Sequence, residues 1–181
     1  MKVKYRRNLP AVFLGMHPSK SKLVQRWLNV MTTHGFGTRS VQHMELVEVS
    51  IVPNVDEPTR QEARVVLEMT VTQDTTNSSG KMHGACIVHL VDICTTLPTA
   101  AMSFASGGSG SVGVSQSINV VYHAPASLGD KLRLINTSTA MGTRTWNGRI
   151  EIWDVTHHRL VASGTQVKME ASSSSSSTSK L

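Results

Sequence analysis

The chain has 181 residues and a mass of 19.6 kDa, with 39% apolar and 17% charged residues, enough for one packed domain with tails. Aromatic residues make up only 4%, which argues against a stacking platform for single-stranded nucleic acid. The formal charge of +6 is concentrated at one end: residues 1–44 hold Lys2, Lys4, Arg6, Arg7, Lys20, Lys22, Arg26 and Arg39 and no acid, so the body lacks the basic surface of a nucleic-acid-binding domain.

The apolar run Leu9 to Met16 is short and holds Pro10, so it does not read as a secretory signal. The acid-free basic arm has the composition of a mitochondrial transit peptide or of a solvated extension. Ser19 is placed to cap a helix over roughly 20–32, where Leu23, Val24, Trp27, Leu28 and Met31 make one apolar face. Gly35 and Gly37 end it. Residues 41–52 alternate like a strand that Pro53-Asn54 breaks, and 62–72 alternate again before a polar loop over 73–80.

From Gly84 to Ala105 the chain is apolar and too long for a strand. An ionised Asp92 in mid-span would be costly in a bilayer, so a buried helix is expected there, with no membrane span. Pro98 predicts a kink near 94–97. Ser106 to Gly110 reads as a turn, followed by strand-like runs over 111–122, 131–140, 145–155 and 159–170. This order predicts an α+β domain: a long central helix wrapped by a curved antiparallel sheet of about six strands. An edge strand of such a sheet is free to pair with a second copy.

The expected organisation is a basic extension with a short amphipathic helix (1–40), the folded domain (41–170) and a serine-rich tail (171–181). The tail ends in Ser179-Lys180-Leu181, the peroxisomal address read by an import receptor. The expected localisation is the peroxisome, with the mitochondrion as the alternative. Cys86 and Cys94, eight residues apart, form no metal or disulfide framework and read as small core residues.

Two features carry chemistry. Asp92 lies in the most apolar stretch of the chain, where a carboxylate either marks a site or is satisfied by His89, Thr95 or Thr96 within one helical turn. The loop Asn77 to Gly84 leads through His83 into a helix start, whose free N–H groups suit an oxyanion or serve as an ordinary helix entry. Gly84 and Asp92 are about 12 Å apart along one helix, at ~1.5 Å per residue. They cannot serve one carbonyl from the same helix. If both act, each site combines Gly84 of one subunit with Asp92 of another, in an obligate dimer. The chain lacks a G-x-S-x-G elbow, a phosphate-binding lysine loop and a dinucleotide fingerprint. His83, His89 and Asp92 lack the spacing of zinc helices, so no metal is expected.

TNSSGKMHGACIVHLVD (Thr76–Asp92) resembles the Asn-x-x-Gly-x-x-His-Gly-Gly-x-x-x-x-Leu-x-Asp segment of hotdog-fold acyl-CoA thioesterases of the PaaI-like branch. SVGVSQSINVVYHAPASLGDKL (Ser111–Leu132) resembles that family's strand, Tyr-x-x-Pro turn and Gly-Asp pair. The resemblance covers roughly residues 40–170 and implies a hotdog fold paired as a dimer or a dimer of dimers. It implies that Asp92 activates water or attacks the thioester, that the Gly84 N–H polarises its carbonyl, and that Asn77 orients carbonyl or water. It further implies that His83 shapes the loop and that the Ser115 hydroxyl supports the water. Coenzyme A would lie along the strand of Ser117 and Tyr122 and the turn at Gly142, with Arg144 on a phosphate. Ala85 departs from the second motif glycine. The expected activity is acyl-CoA hydrolysis without a cofactor. The alternatives are a non-catalytic acyl-CoA-binding hotdog protein and a hotdog hydratase or dehydratase.

Overall fold

The computed structural model describes residues 12–171. The arm residues Lys2, Lys4, Arg6 and Arg7 and the terminal Ser179-Lys180-Leu181 lie outside the described residues. The elements are β1 (Val12–Leu14), α1 (Pro18–Thr33), α2 (Thr38–Val41), β2 (Glu45–Pro53), β3 (Gln61–Thr70), a 3-10 turn (Gln73–Thr75), α3 (Gly84–Cys94), α4 (Thr96–Ala105), β4 (Val114–Tyr122), β5 (Lys131–Met141), β6 (Thr145–Asp154) and β7 (Arg159–Met169). Six strands pair antiparallel in the order β2-β3-β5-β6-β7-β4, and β1 adds a short seventh strand parallel to β2.

The architecture is the expected α+β one, with three local differences. Helix α1 is capped by His17, whose ring Nδ1 accepts from the Ser19 N–H, and not by Ser19, because Pro18 already occupies the first turn. Strand β2 starts at Glu45 and not at 41, because Gly37 at φ 68° opens the helical turn α2 over 38–41. The seventh strand, β1, comes from the run that holds Pro10, where no strand was expected.

Helices α3 and α4 fill the concave face of the sheet. Leu90, Val91, Cys94, Leu97, Ala100 and Ala101 pack against Val65, Leu67, Leu132, Leu134, Ile150, Ile152 and Ala162, all 0–1% exposed. Each fully buried Leu or Ile contributes about 1.5–3 kcal/mol. The Gly84–Ala105 segment is long and apolar enough to cross a membrane, but here it is the mostly buried helical core of the domain. It breaks at Thr95, where the kink was expected: Pro98 has no N–H to return to the Cys94 carbonyl.

Two glycines seat this helix. A Cβ on Gly164 would lie 2.8 Å from Val91 Cγ2, and one on Gly148 would lie 2.9 Å from the Thr95 carbonyl oxygen. Without side chains at these points, β7 and β6 approach α3 closely. Helix α1 packs across α4, and Lys20 Nζ donates to the Ala105 carbonyl at 3.0 Å. Strand β4 forms one edge of the sheet, and Val114, Val121 and Tyr122 on it are each at least 50% exposed.

Candidate active site

Asp92 stands in the last turn of α3. Its helix neighbours do not satisfy it: the Thr96 hydroxyl takes the Asp92 backbone carbonyl, and the Thr95 hydroxyl takes the Val91 carbonyl. Its partners come from the sheet instead. Asp92 Oδ1 accepts from Ser115 Oγ at 2.8 Å and from Gln166 Nε2 at 2.5 Å. Gln166 Nε2 also donates to Ser115 Oγ at 2.8 Å, closing a ring of three side chains from α3, β4 and β7. Lys168 Nζ lies 3.5 Å from Ser115 Oγ.

The alternation of β7 explains this convergence. Ala162, Gly164, Gln166 and Lys168 are successive inward positions. The first two meet the apolar body of the helix, and the last two bring an amide and an ammonium to its Asp92 end. Burial lowers the Lys168 pKa, with the Asp92 carboxylate pulling the other way. Burial likewise lowers the His89 pKa against the same carboxylate. His89 Nε2 is buried with no hydrogen bond, and Gly37 sits so close that a Cβ there would be 2.6 Å from it.

The second group of candidates gathers at the other end of α3. His83 is the helix cap: its ring Nδ1 accepts from the Ala85 N–H at 3.0 Å, and its carbonyl accepts from the Cys86 and Ile87 N–H groups. The Gly84 N–H has no acceptor among the described residues. Asn77 Oδ1 accepts from the Ser79 and Lys81 N–H groups, folding the loop and leaving its NH2 as the group able to meet a carbonyl. The Tyr122 hydroxyl donates to the Gly84 carbonyl at 3.1 Å. Ala85, in place of a glycine, sits exposed with its N–H in the cap.

Strand β4 runs between the two groups, from Ser115 beside Asp92 to Tyr122 beside Gly84. Ser117 pairs with Val167 and Ser115 with Lys168, so a bulge at Gln116 lies between the two serines. Trp146 pairs with Lys168, so Gly142 and Arg144, in the β5–β6 turn, lie at the Ser115 end of the sheet. The Gly142 N–H closes that turn on the Thr145 carbonyl, and the Arg144 carbonyl takes the Glu170 N–H. One chain therefore brings Asp92 and Ser115 together, and Gly84, His83, Asn77 and Tyr122 together, but holds the groups apart. Gln166 and Lys168 were not among the expected site residues. Their signal is a pair of polar side chains at inward positions of an otherwise core-facing strand.

Among the described residues, the one group of potential metal ligands is Asp130, Asp154 and His157, whose ligand atoms lie within 4.8 Å of one another. Its bonds are internal. Asp154 accepts from His157, Arg159 and two backbone N–H groups, and Asp130 from the Ser127 N–H.

Residues 79–161 match the model of the Thioesterase superfamily. Acyl-coenzyme A thioesterase 13 of Mus musculus is 27% identical over 105 residues, covering 58% of this chain and 71% of that protein. The crystal structure of zebrafish thioesterase superfamily member 2 aligns over 83% of this chain and 97% of that one, with 24% identity and a TM-score of 0.66. The E. coli PaaI protein aligns over 83% and 95%, with 16% identity and a TM-score of 0.59. The fold is that of the hotdog proteins.

Proposed function

We propose that this chain, which carries a thioesterase-superfamily domain over residues 79–161, hydrolyses acyl-CoA to a free acid and coenzyme A at sites completed by a second copy of itself. The observation that carries the reading is the Ser115–Asp92–Gln166 cluster standing about 12 Å along α3 from its oxyanion partner at Gly84. The name of the mouse relative supports acyl-CoA as the substrate class.

Two copies joined antiparallel along the β4 edge, about a two-fold axis near Ile118, would lay Val114 beside the partner's Tyr122. Asp92 and Ser115 of one subunit would then face the helix start at Gly84 of the other. The thioester carbonyl oxygen accepts from that Gly84 N–H, with the Asn77 NH2 beside it. A water held at Asp92 gives its proton to the carboxylate as its oxygen bonds to the thioester carbon. The tetrahedral oxyanion is held by the Gly84 N–H at the positive end of the helix. Collapse breaks the C–S bond, and the departing thiolate takes the proton back from Asp92. Coenzyme A is placed along Ser117 and Tyr122, with its phosphates toward Gly142 and the Arg144 guanidinium. No step calls for a metal or a cofactor.

The deciding assay is thiol release from short, medium and long acyl-CoAs, beside Asp92→Asn. The expected result is turnover on at least one chain length and a fall in kcat of about 10²–10⁴-fold in a variant that still folds. A folded protein that releases no thiol from any acyl-CoA is instead a binding protein. A change in enoyl absorbance without thiol release would mark a hydratase.

The terminal Ser179-Lys180-Leu181 supports a peroxisomal location, through the import receptor that reads this tripeptide. Fluorescently tagged full-length chain should enter peroxisomes and lose that destination on deletion of Leu181. Mitochondrial fluorescence in both cases would favour the basic arm as the address.

A further inference from the structure

Gln166 is 1% exposed, and every hydrogen-bonding position of its amide is assigned. Its Oε1 lies 2.5 Å from the Thr95 hydroxyl, whose one proton it shares with the Val91 carbonyl, and this turns both N–H groups toward the site. One reaches Asp92 Oδ1 and the other Ser115 Oγ. The opposite amide orientation would set its oxygen against the Asp92 carboxylate. Ser115 has a single hydroxyl proton, which goes to Asp92 Oδ1, while its lone pairs face Gln166 and Lys168. Oδ1 therefore holds two donors, and among the described residues Oδ2 holds none.

We infer that Gln166 is a positioning residue of the hydrolytic site: it locks the Ser115–Asp92 pair so that Asp92 Oδ2 is the oxygen that takes the proton from water, with Ser115 bracing the carboxylate. This inference rests on the acyl-CoA hydrolysis proposed above and refines the same site. The titratable groups around Asp92 are His89 and Cys94 on α3 and Lys168 on β7, while β4 presents only Ser115. The Gln166 amide is thus a neutral donor that neither competes for the proton nor repels the carboxylate.

Gln166→Glu keeps the shape and exchanges the donor for a second carboxylate. Like charges in one site raise the pKa of one of the pair. The test is a ¹³C-NMR titration of the Asp92 carboxyl and of the introduced one in the full chain, wild type against Gln166→Glu, beside pH profiles of thiol release. The expected results are a coupled pair in which one carboxyl midpoint is raised by about one unit or more, an acid limb of kcat/KM that moves with the pair, and a kcat lowered about 100-fold with KM within about threefold. Gln166→Met keeps the volume and removes both donors; it should lower kcat while leaving KM in the same range. Two carboxyls that titrate independently in folded Gln166→Glu, with the Asp92 midpoint unmoved and the introduced one at an ordinary carboxylate value, overturn the inference. So does a loss confined to KM, or a Gln166→Met protein with wild-type kcat. The NMR arm needs no turnover. Wild-type protein without thiol release would defeat the hydrolase reading, and the titration would still support or overturn the Gln166–Asp92 lock.

Discussion

Gly84 is glycine at a position where its lack of a side chain is not what the chemistry uses. In the proposed mechanism its N–H is the functional group, and it can be removed with little harm to the backbone. Proline suits the first residue of a helix, and His83 before it is already extended at φ −72°, ψ 134°, as a residue preceding proline must be. A Cβ at 84 would meet Tyr122 at 3.4 Å, an ordinary contact. Gly84→Pro should therefore fold and dimerise while kcat for thiol release falls about 10²–10³-fold, the loss typical of one oxyanion donor. Unchanged kcat would remove Gly84 from the mechanism. Asp92 stood out in the sequence as a carboxylate inside LVDIC, either a site or an acid satisfied within its own helical turn. Gln166 did not, because its meaning depends on which face of β7 turns inward and on what α3 brings opposite it. The alternative of Thr95 or Thr96 satisfying Asp92 also needed coordinates: the Thr96 hydroxyl turns to a helix carbonyl, and the Thr95 hydroxyl lies between a helix carbonyl and Gln166 Oε1.

Among the elements, the tight β6–β7 connection fixes the hand-over between two core strands. Asp154 is fully buried at its start and takes the Thr156 and His157 N–H groups, the His157 ring and Arg159. Burial alone would raise its pKa, but the side-chain and backbone bonds from His157 and Thr156 outweigh burial and lower it below the ordinary 3.8. Because the folded state binds the proton less readily than the unfolded state, this stability is present above the ordinary pKa and is lost as pH falls through the folded one. Asp154→Asn should thus cost about 1–3 kcal/mol in urea unfolding at neutral pH. The gap to wild type should narrow below pH 3.8. A gap that widens on acidification would contradict the assignment. Alternation made β3, β5, β6 and β7 readable in the sequence, and Pro98 announced the helix break. The start of β2 was misplaced because Val41 is buried in α2, where an apolar residue reads equally well as the beginning of a strand.

For the whole molecule, the separation of Gly84 from Asp92 on one rigid helix makes a prediction about mixing. Subunits carrying Gly84→Pro and subunits carrying Asp92→Asn are each nearly inactive alone. If every site takes one group from each subunit, a mixed dimer has one site with both lesions and one with neither. Co-refolding equal amounts should restore about a quarter of wild-type thiol release, since half the dimers are mixed and each holds one intact site. Mixtures that stay at the level of the separate variants would place both groups of a site in one chain. The expectation of two subunits, if both groups act, followed from the helical spacing alone. The strand order did not, because pairing of β3 with β5 and of β7 with β4 joins segments that sequence spacing leaves free to combine in several ways.

The short parallel strand β1 has a consequence for how far assembly proceeds. A sheet with two long open edges is a monomer for a fibre, since each added copy presents a fresh edge to the next. Here β1 lies over Glu48, Val49 and Ser50 and interrupts the nine-residue edge of β2 in its middle. Among the described residues β4 alone remains as an uninterrupted edge. Pairing of β4 with its own copy, as proposed, would close on a two-fold axis, so growth by strand addition would end at two copies and the chain would be spared open-ended polymerisation.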